Sequence, residues 1–285
     1  MKLNKDTKIL IVGLGLIGGS YAKALTNQGY FVGAISKEKA DIDYALDNHI
    51  ISSGTFNINQ FFIAEFDLII FALYPSTLIN WIKENQKYIK AGTLLTDVSG
   101  VKKEVVYQVQ DILRDDLSFV GAHPMAGREL SGVVNADPNI FKGANYIVTP
   151  TNKNKEEDIQ NIEELGRILG FKNISRLSPE AHDEMVGFLS QLTHCIAISL
   201  MTCKDNEDLS KYTGDSFRDL TRIAKINEKM WPELFLMNKE ELLSQMDLFI
   251  NEFSKLKEYI ANNDISSMES MMKESTKRRK AFDKR

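Results

Sequence analysis

Residues 8–20 leave this chain few choices. A short apolar run, 9–12, ends at once in Gly13-Leu14-Gly15-Leu16-Ile17-Gly18, and a helical pattern follows over 16–28. Strand, glycine turn and helix in this order form the first unit of a dinucleotide-binding fold. Gly13 permits the tight turn, Gly15 lets the backbone approach a pyrophosphate, and Gly18 lets the helix lie close to the strand. Leu16 and Ile17 open the helix, whose N-terminus offers unpaired N–H groups and a partial positive charge to phosphates. A glycine turn that merely packs a helix would leave the same letters. The strand before it and the helix after it favour the nucleotide.

At 285 residues the chain has room for two domains. An apolar share of 43% and a charged share of 26% are those of an ordinary globular protein. The net charge of -4 argues against a general nucleic-acid binder. Cys195 and Cys203 lie in one helical region, fit no metal-ligand spacing, and suggest no disulfide framework, so a reducing cytoplasm is the expected setting. No apolar run is read here as a membrane span and no leader peptide is expected, because the polar first residues lead straight into the first strand.

Strand and helix patterns alternate through the first part. Strands are expected at 30–35, near 50, at 67–73, 93–97, 118–121, 146–148 and 172–175, with helices at 41–48, 101–113 and 156–169. The run 67–73 is continuously apolar, as a buried parallel strand should be. At Ser178-Pro179 strand signals stop. The expected architecture is therefore α/β: a Rossmann-type, doubly wound and mostly parallel sheet over 1–177, followed by an all-helical domain over 178–285 that binds substrate and dimerises. The dimer is expected from a seam. Leu242, Met246, Phe249, Phe253, Leu256 and Ile260 alternate steps of four and three on one helix, capped by Asn238.

Ligands in such a sheet sit beyond the carboxyl ends of its strands. Gly13 and Gly15, Leu73, Asp97-Val98-Ser99-Gly100 and His123-Pro124 each follow a strand, which places them on one edge beside one cofactor. At the end of the second strand, where an acid would bond the ribose of NAD, stand Ser36 and Lys37. Asp41 and Asp43 are read as too far along the next helix, so this position leans to NADP, with Lys37 as a plain surface lysine the alternative. His123 is the group on this edge that titrates near neutral pH, placed to take a proton from a hydroxyl whose carbon gives up hydride. In the helical part, Gly187, Ser190, Gln191 and His194 form a polar stripe. Ser216 and Asp219 read as a capping box, and Arg218 and Arg222, one turn apart, suit a carboxylate.

These segments together resemble the prephenate and arogenate dehydrogenases of tyrosine biosynthesis. The resemblance rests on residues 13–20, on Asp97-Val-Ser-Gly-Val-Lys102, Gly121-Ala-His-Pro-Met-Ala-Gly127, Ser190-Gln-Leu-Thr-His194, and Phe217-Arg-Asp-Leu-Thr-Arg-Ile-Ala224 followed by Met230-Trp231. It implies that His123 bonds the substrate ring hydroxyl and removes its proton, that Arg222 binds a carboxylate, and that His194 borders the substrate entrance. Family members often carry Gly-Ser where this chain has Ser99-Gly100, so the serine for the ring hydroxyl is displaced by one residue, and some carry histidine where Gln191 stands. The implied reaction is NAD- or NADP-dependent oxidative decarboxylation of prephenate, with arogenate as the alternative substrate. A β-hydroxyacid dehydrogenase would want a lysine on the polar stripe, and a nucleotide-sensing regulator would need no base. No appended regulatory or chorismate mutase segment is expected.

Overall fold

A computed structural model describes residues 2–128, 130–205 and 208–283. In the first part it contains β1 (Lys8–Val12), α1 (Leu16–Asn27), β2 (Phe31–Ile35), α2 (Lys39–Asp47), β3 (Ser53–Thr55), α3 (Gln60–Ile63), β4 (Leu68–Phe71), α4 (Pro75–Asn85), β5 (Leu94–Asp97), α5 (Lys103–Ile112) and β6 (Ser118–Phe119). Then come β7 (Gly121–Met125), β8 (Asn145–Thr149), α6 (Glu156–Leu169) and β9 (Asn173–Arg176). The remainder is helical: α7 (Pro179–Val186), α8 (Thr193–Thr202), α9 (Asp215–Thr221), α10 (Met230–Met237), α11 (Lys239–Ala261) and α12 (Ile265–Arg279).

Six parallel strands in the order β3-β2-β1-β4-β5-β6 make the main sheet. The order reverses beside β1, so a crevice opens at the carboxyl ends of β1 and β4, where such sheets bind ligands. β1 and β4 are apolar on both faces because helices cover both. Ile9, Leu10 and Ile11 pair with Leu68, Ile69 and Ile70, and all six are essentially inaccessible. Each such side chain contributes about 1.5–3 kcal/mol by leaving water.

The strand expected at 118–121 does not continue as one. It breaks at Val120, leaving β6 on the main sheet, while β7 starts a second, three-stranded sheet, β7-β8-β9. There β7 runs antiparallel to β8, and β8 parallel to β9. Gly121 makes the change of sheet possible, since a Cβ there would lie 2.6 Å from Thr149 Oγ1 and from Val106 Cγ2. His123 therefore does not follow a strand, as expected from its position after an apolar run. It sits on β7, opposite Ile147.

Packing divides the chain into two compact units, 1–238 and 239–285. The change from sheet to helix falls at Ser178, which caps α7 by accepting from the Ala181 N–H, but the packing break falls later. Helices α7 to α10 thus share a unit with both sheets. Residues 179–202 form one helical run of 24 residues with an 18-residue window of mean hydropathy 1.4. Contrary to the sequence reading, that is long and apolar enough to cross a membrane by length and composition. In this fold its first segment packs on α5 and β8. A π-helical turn, Gly187–Leu192, interrupts the run. In the second unit, α11 and α12 form a hairpin, closed where Asp264 accepts from the Ser267 N–H. Phe249, Phe253 and Ile260 of the seam are exposed in the single chain.

Candidate active site

The glycine turn has the form its sequence requires. Gly13 adopts φ +102°, and a Cβ there would press on the Ala72 carbonyl oxygen at 2.4 Å. Gly18 lies so close beneath the turn that a Cβ would meet the Gly13 carbonyl oxygen at 1.9 Å. Gly15 is different: a Cβ there would find nothing within 4 Å. Gly15 is also the N-cap of α1, and no side chain caps the helix. Open space in front of uncapped N–H groups suits a pyrophosphate. Leu16 is buried in the first turn and Ile17 half-buried beside it, so both shape the floor of this end. Leu73, half-buried, follows β4 next to Gly13.

At the end of β2 the structure corrects the sequence reading. Lys37 is exposed, as a surface lysine would be. Ser36 is buried, and its hydroxyl donates to Asp41 Oδ2 at 3.1 Å. The first turn of α2 folds back on the strand end and carries Asp41 with it. An acidic group stands where the sequence spacing suggested none.

Beyond β5 lies a buried ionic core. Asp97 is fully buried and uses both oxygens: Oδ1 accepts from the Ala122 N–H, and Oδ2 from the Ser99 N–H and from Lys102 Nζ at 2.5 Å. The Lys102 side chain is likewise inaccessible. Burial pulls the Lys102 ammonium below its usual range, opposed by Asp97 and then by Asp183. Asp97 was expected to touch the cofactor. Its side chain has no surface to offer, and it acts instead as the tie between the turn after β5 and β7. Ser99 is buried, and its hydroxyl has no hydrogen-bond partner among the described residues. A buried hydroxyl in that state is costly until a ligand oxygen satisfies it.

His123, half-buried, is the end of a chain of three side chains. Its Nδ1 lies 2.9 Å from His182 Nε2, and His182 Nδ1 lies 2.7 Å from Asp183 Oδ1. Asp183 also accepts from the N–H groups of Lys102, through Oδ1, and Lys103, through Oδ2. The other ring nitrogen of His123, Nε2, lies beside Gly100, where a Cβ would come within 3.8 Å of it and 3.7 Å of Leu234 Cδ1. Burial holds His123 well below the usual histidine range, helped by the neighbouring His182 and Lys102. Burial also lowers His182, against the pull of Asp183. Both rings are therefore neutral near pH 7. His182 and Asp183 were missed in the sequence. The only signal was a His-Asp pair one turn inside a well-capped helix.

Helix α10 draws the helical contributors to the same place. Its Leu234 packs beside Gly100, and the Leu234 carbonyl accepts from Gln191 Nε2 at 3.0 Å. Gln191 is 1% exposed and its Oε1 accepts from Asn238 Nδ2 at 2.7 Å, so its amide braces α10 in this structure. Three residues before Leu234, Trp231 stacks on His194 with ring centroids 3.8 Å apart. His194 Nδ1 donates to the Ser190 carbonyl. At its other side α10 reaches the first turn of α4, where Glu233 accepts from the Ser76 N–H. Arg222 is exposed and opens a 3-10 turn, Arg222–Ala224, that packs on α8, the helix carrying His194. The expected capping box is absent: Ser216 lies inside α9, whose N-cap is Gly214. Asn238, expected as the cap of α11, turns its amide to Gln191 and the Asp183 carbonyl.

Comparison with known proteins agrees with this geometry. Residues 21–174 match the family model for the prephenate dehydrogenase nucleotide-binding domain, and 178–274 that for its dimerization domain. The prephenate dehydrogenase of Bacillus subtilis is 32% identical over 277 residues, 94% of this chain and 74% of that protein. That of Lactococcus lactis is 30% identical over 284 residues, 97% of this chain and 77% of that protein. The crystal structure of prephenate dehydrogenase from A. aeolicus, in complex with hydroxyphenyl propionate and NAD+, superposes with a TM-score of 0.90 at 31% identity, over 99% of this chain and all of that one. Two family models spanning most of the sequence establish that this chain belongs to the prephenate dehydrogenase family.

Proposed function

We propose that this chain oxidises prephenate with NAD and releases carbon dioxide, giving 4-hydroxyphenylpyruvate. The observation that carries the reading is a neutral imidazole, His123, with Nε2 beside Gly100, just past β5, whose neighbour β4 pairs in turn with β1, the strand that ends at the glycine turn. The Gly13–Gly18 turn and the open N-terminus of α1 would hold the pyrophosphate, and Leu73 the side of the nicotinamide. The nicotinamide, when bound, supplies the hydride acceptor. His123 Nε2 takes the proton of the ring hydroxyl as the carbon bearing it loses hydride. Ser99 gives its unpartnered hydroxyl to a substrate or cofactor oxygen, and Gly100 leaves room for the ring. Loss of the carboxylate as carbon dioxide makes the ring aromatic, so the step is irreversible. Here the residues orient donor and base. Purified protein with prephenate or arogenate and each cofactor, followed at the reduced-nicotinamide absorbance, tests the reading; no reduction with either substrate would end it.

Asp41 supports NAD over NADP, because a carboxylate tied to the strand end accepts from a ribose hydroxyl and repels a 2′-phosphate. The parent should show at least about tenfold higher kcat/KM with NAD, and Asp41→Ser should narrow that ratio by about tenfold, about 1.4 kcal/mol. A parent that prefers NADP would refute this assignment. His194 with Trp231 walls the substrate side, and Arg222 pairs with a substrate carboxylate. Arg222→Ala should raise KM for prephenate by about 10–100-fold, consistent with about 1.5–3 kcal/mol for a charge-assisted contact, with kcat changed less. An unchanged KM removes it from the anion site. The domain division is proposed at 177/178, with α11 and α12 joining two chains through the exposed seam.

A further inference from the structure

The described site explains why His123 is neutral but not how one of its two nitrogens becomes the base. We propose that His182 and Asp183 act as positioning residues that hold His123 as the Nδ1–H tautomer, leaving Nε2 as the proton acceptor, and that share the charge His123 gains. The inference rests on the dehydrogenase reading for its kinetic arm and on geometry alone for its spectroscopic one.

The polarity follows link by link. Asp183 is an acceptor at both oxygens, since each takes a backbone N–H, from Lys102 at 2.8 Å and from Lys103 at 2.9 Å. A carboxylate so used cannot donate, so the 2.7 Å contact requires His182 Nδ1 to carry a proton. His182 is fully buried, and a second proton on it would be a buried charge, so its Nε2 is an acceptor. The 2.9 Å contact with His123 then requires a proton on His123 Nδ1. His123 Nε2, on the Gly100 side, is left with its lone pair. Reversal of any one link would put two lone pairs or two protons face to face in a buried place.

The same chain handles the product of proton transfer. When the substrate O–H bond breaks and Nε2–H forms, His123 becomes an imidazolium. Its Nδ1–H already points at His182 Nε2, so that proton shifts toward His182 as the Nδ1–H of His182 leans on Asp183. No proton leaves the three residues until His123 Nε2 is relieved of its own. The charged groups around the pair are Asp97 and Lys102, from β5 and the turn after it, and Asp183, from α7. Lys102 opposes a positive charge on His123, and Asp183, one ring further, offsets it.

The test uses the full chain labelled with 15N-histidine and the variants His182→Gln and His182→Leu. Glutamine keeps an acceptor toward His123 and a donor toward Asp183; leucine keeps neither. With four histidines in the chain, the His123 resonances are assignable from His123→Asn. At pH 8 the parent and His182→Gln should show a protonated Nδ1 and an unprotonated Nε2, and His182→Leu a mixture of tautomers. In turnover, His182→Leu should lose about 10–100-fold in kcat with KM for prephenate and NAD changed less than about threefold. His182→Gln should retain most of kcat. A parent protonated at Nε2 overturns the proposal, as does a His182→Leu protein with the parent's tautomer and kcat. If His182→Leu does not fold, equal loss of kcat and a mixed tautomer in folded His182→Gln would overturn it. If no variant, nor the parent, oxidises prephenate, the functional reading fails while the resonances still decide this one.

Discussion

His123→Asn should lower kcat by about 10²–10⁴-fold, the usual worth of a positioned general base. KM for NAD should barely move. Asparagine is the informative replacement because its amide can still donate to His182 Nε2, so the buried contacts behind the ring survive. Since proton removal belongs to the transition state, kcat and kcat/KM for prephenate should fall together. The pH dependence has a definite sign. Burial, His182 and Lys102 depress the His123 pKa from its reference of 6.5, so the imidazole is still unprotonated at that pH and takes up a proton only below it. The acid limb of the parent's profile should lie below pH 6.5, and His123→Asn should abolish it. The same depression has a consequence for stability. A histidine whose folded pKa is lowered supports the fold above its unfolded value and weakens it as pH falls from about 6.5 toward the folded value. His123→Asn should therefore be less sensitive to acid than the parent. Retention of the parent's kcat would remove His123 from the role of base.

The second large effect concerns stability. Asp97→Asn should destabilise the fold by about 3–5 kcal/mol, the range for removing one partner of a buried ion pair. For a chain of this size that lowers Tm by about 10 °C. The carboxylate offsets the Lys102 ammonium where both side chains are inaccessible to solvent, and it also takes the Ser99 and Ala122 N–H groups. An asparagine turned to satisfy one of these presents its own N–H groups to another. Lys102→Met in the Asp97→Asn background should return much of the loss, because it removes the orphaned charge. Thermal melts of the parent, Asp97→Asn and the double variant check this. If Asp97→Asn melts with the parent, Asp97 is not the tie between β5 and β7 that its contacts describe.

Much of the fold was legible because local rules and global packing agree there. The glycine turn at Gly13 to Gly18 and the apolar runs of β1 and β4 each have one good reading. What stayed hidden depends on where chain segments return. Asp41 looked too distant from Ser36 by counting residues, yet a short 36–38 link brings the first turn of α2 back onto the strand end. The break at Val120 was invisible because β6 and β7 have similar apolar character; only tight packing around Gly121 reveals it. The stripe of Gly187, Ser190, Gln191 and His194 was drawn on a regular helix. The π-helical turn shifts its phase, and Gln191 becomes a brace while His194 meets Trp231. His182 lies 59 residues from His123, and no periodicity connects a strand residue with a helix residue at that distance.

The break at Val120 means that His123, the proposed proton acceptor, and the turn read as the cofactor's seat are mounted on separate ladders of backbone hydrogen bonds. Adjusting how β7 rests against β8 would retune proton abstraction while the crevice beside β1 keeps its grip on a nucleotide. A lineage inheriting this plan has two independently adjustable parts, one for choosing the ring and one for choosing the coenzyme.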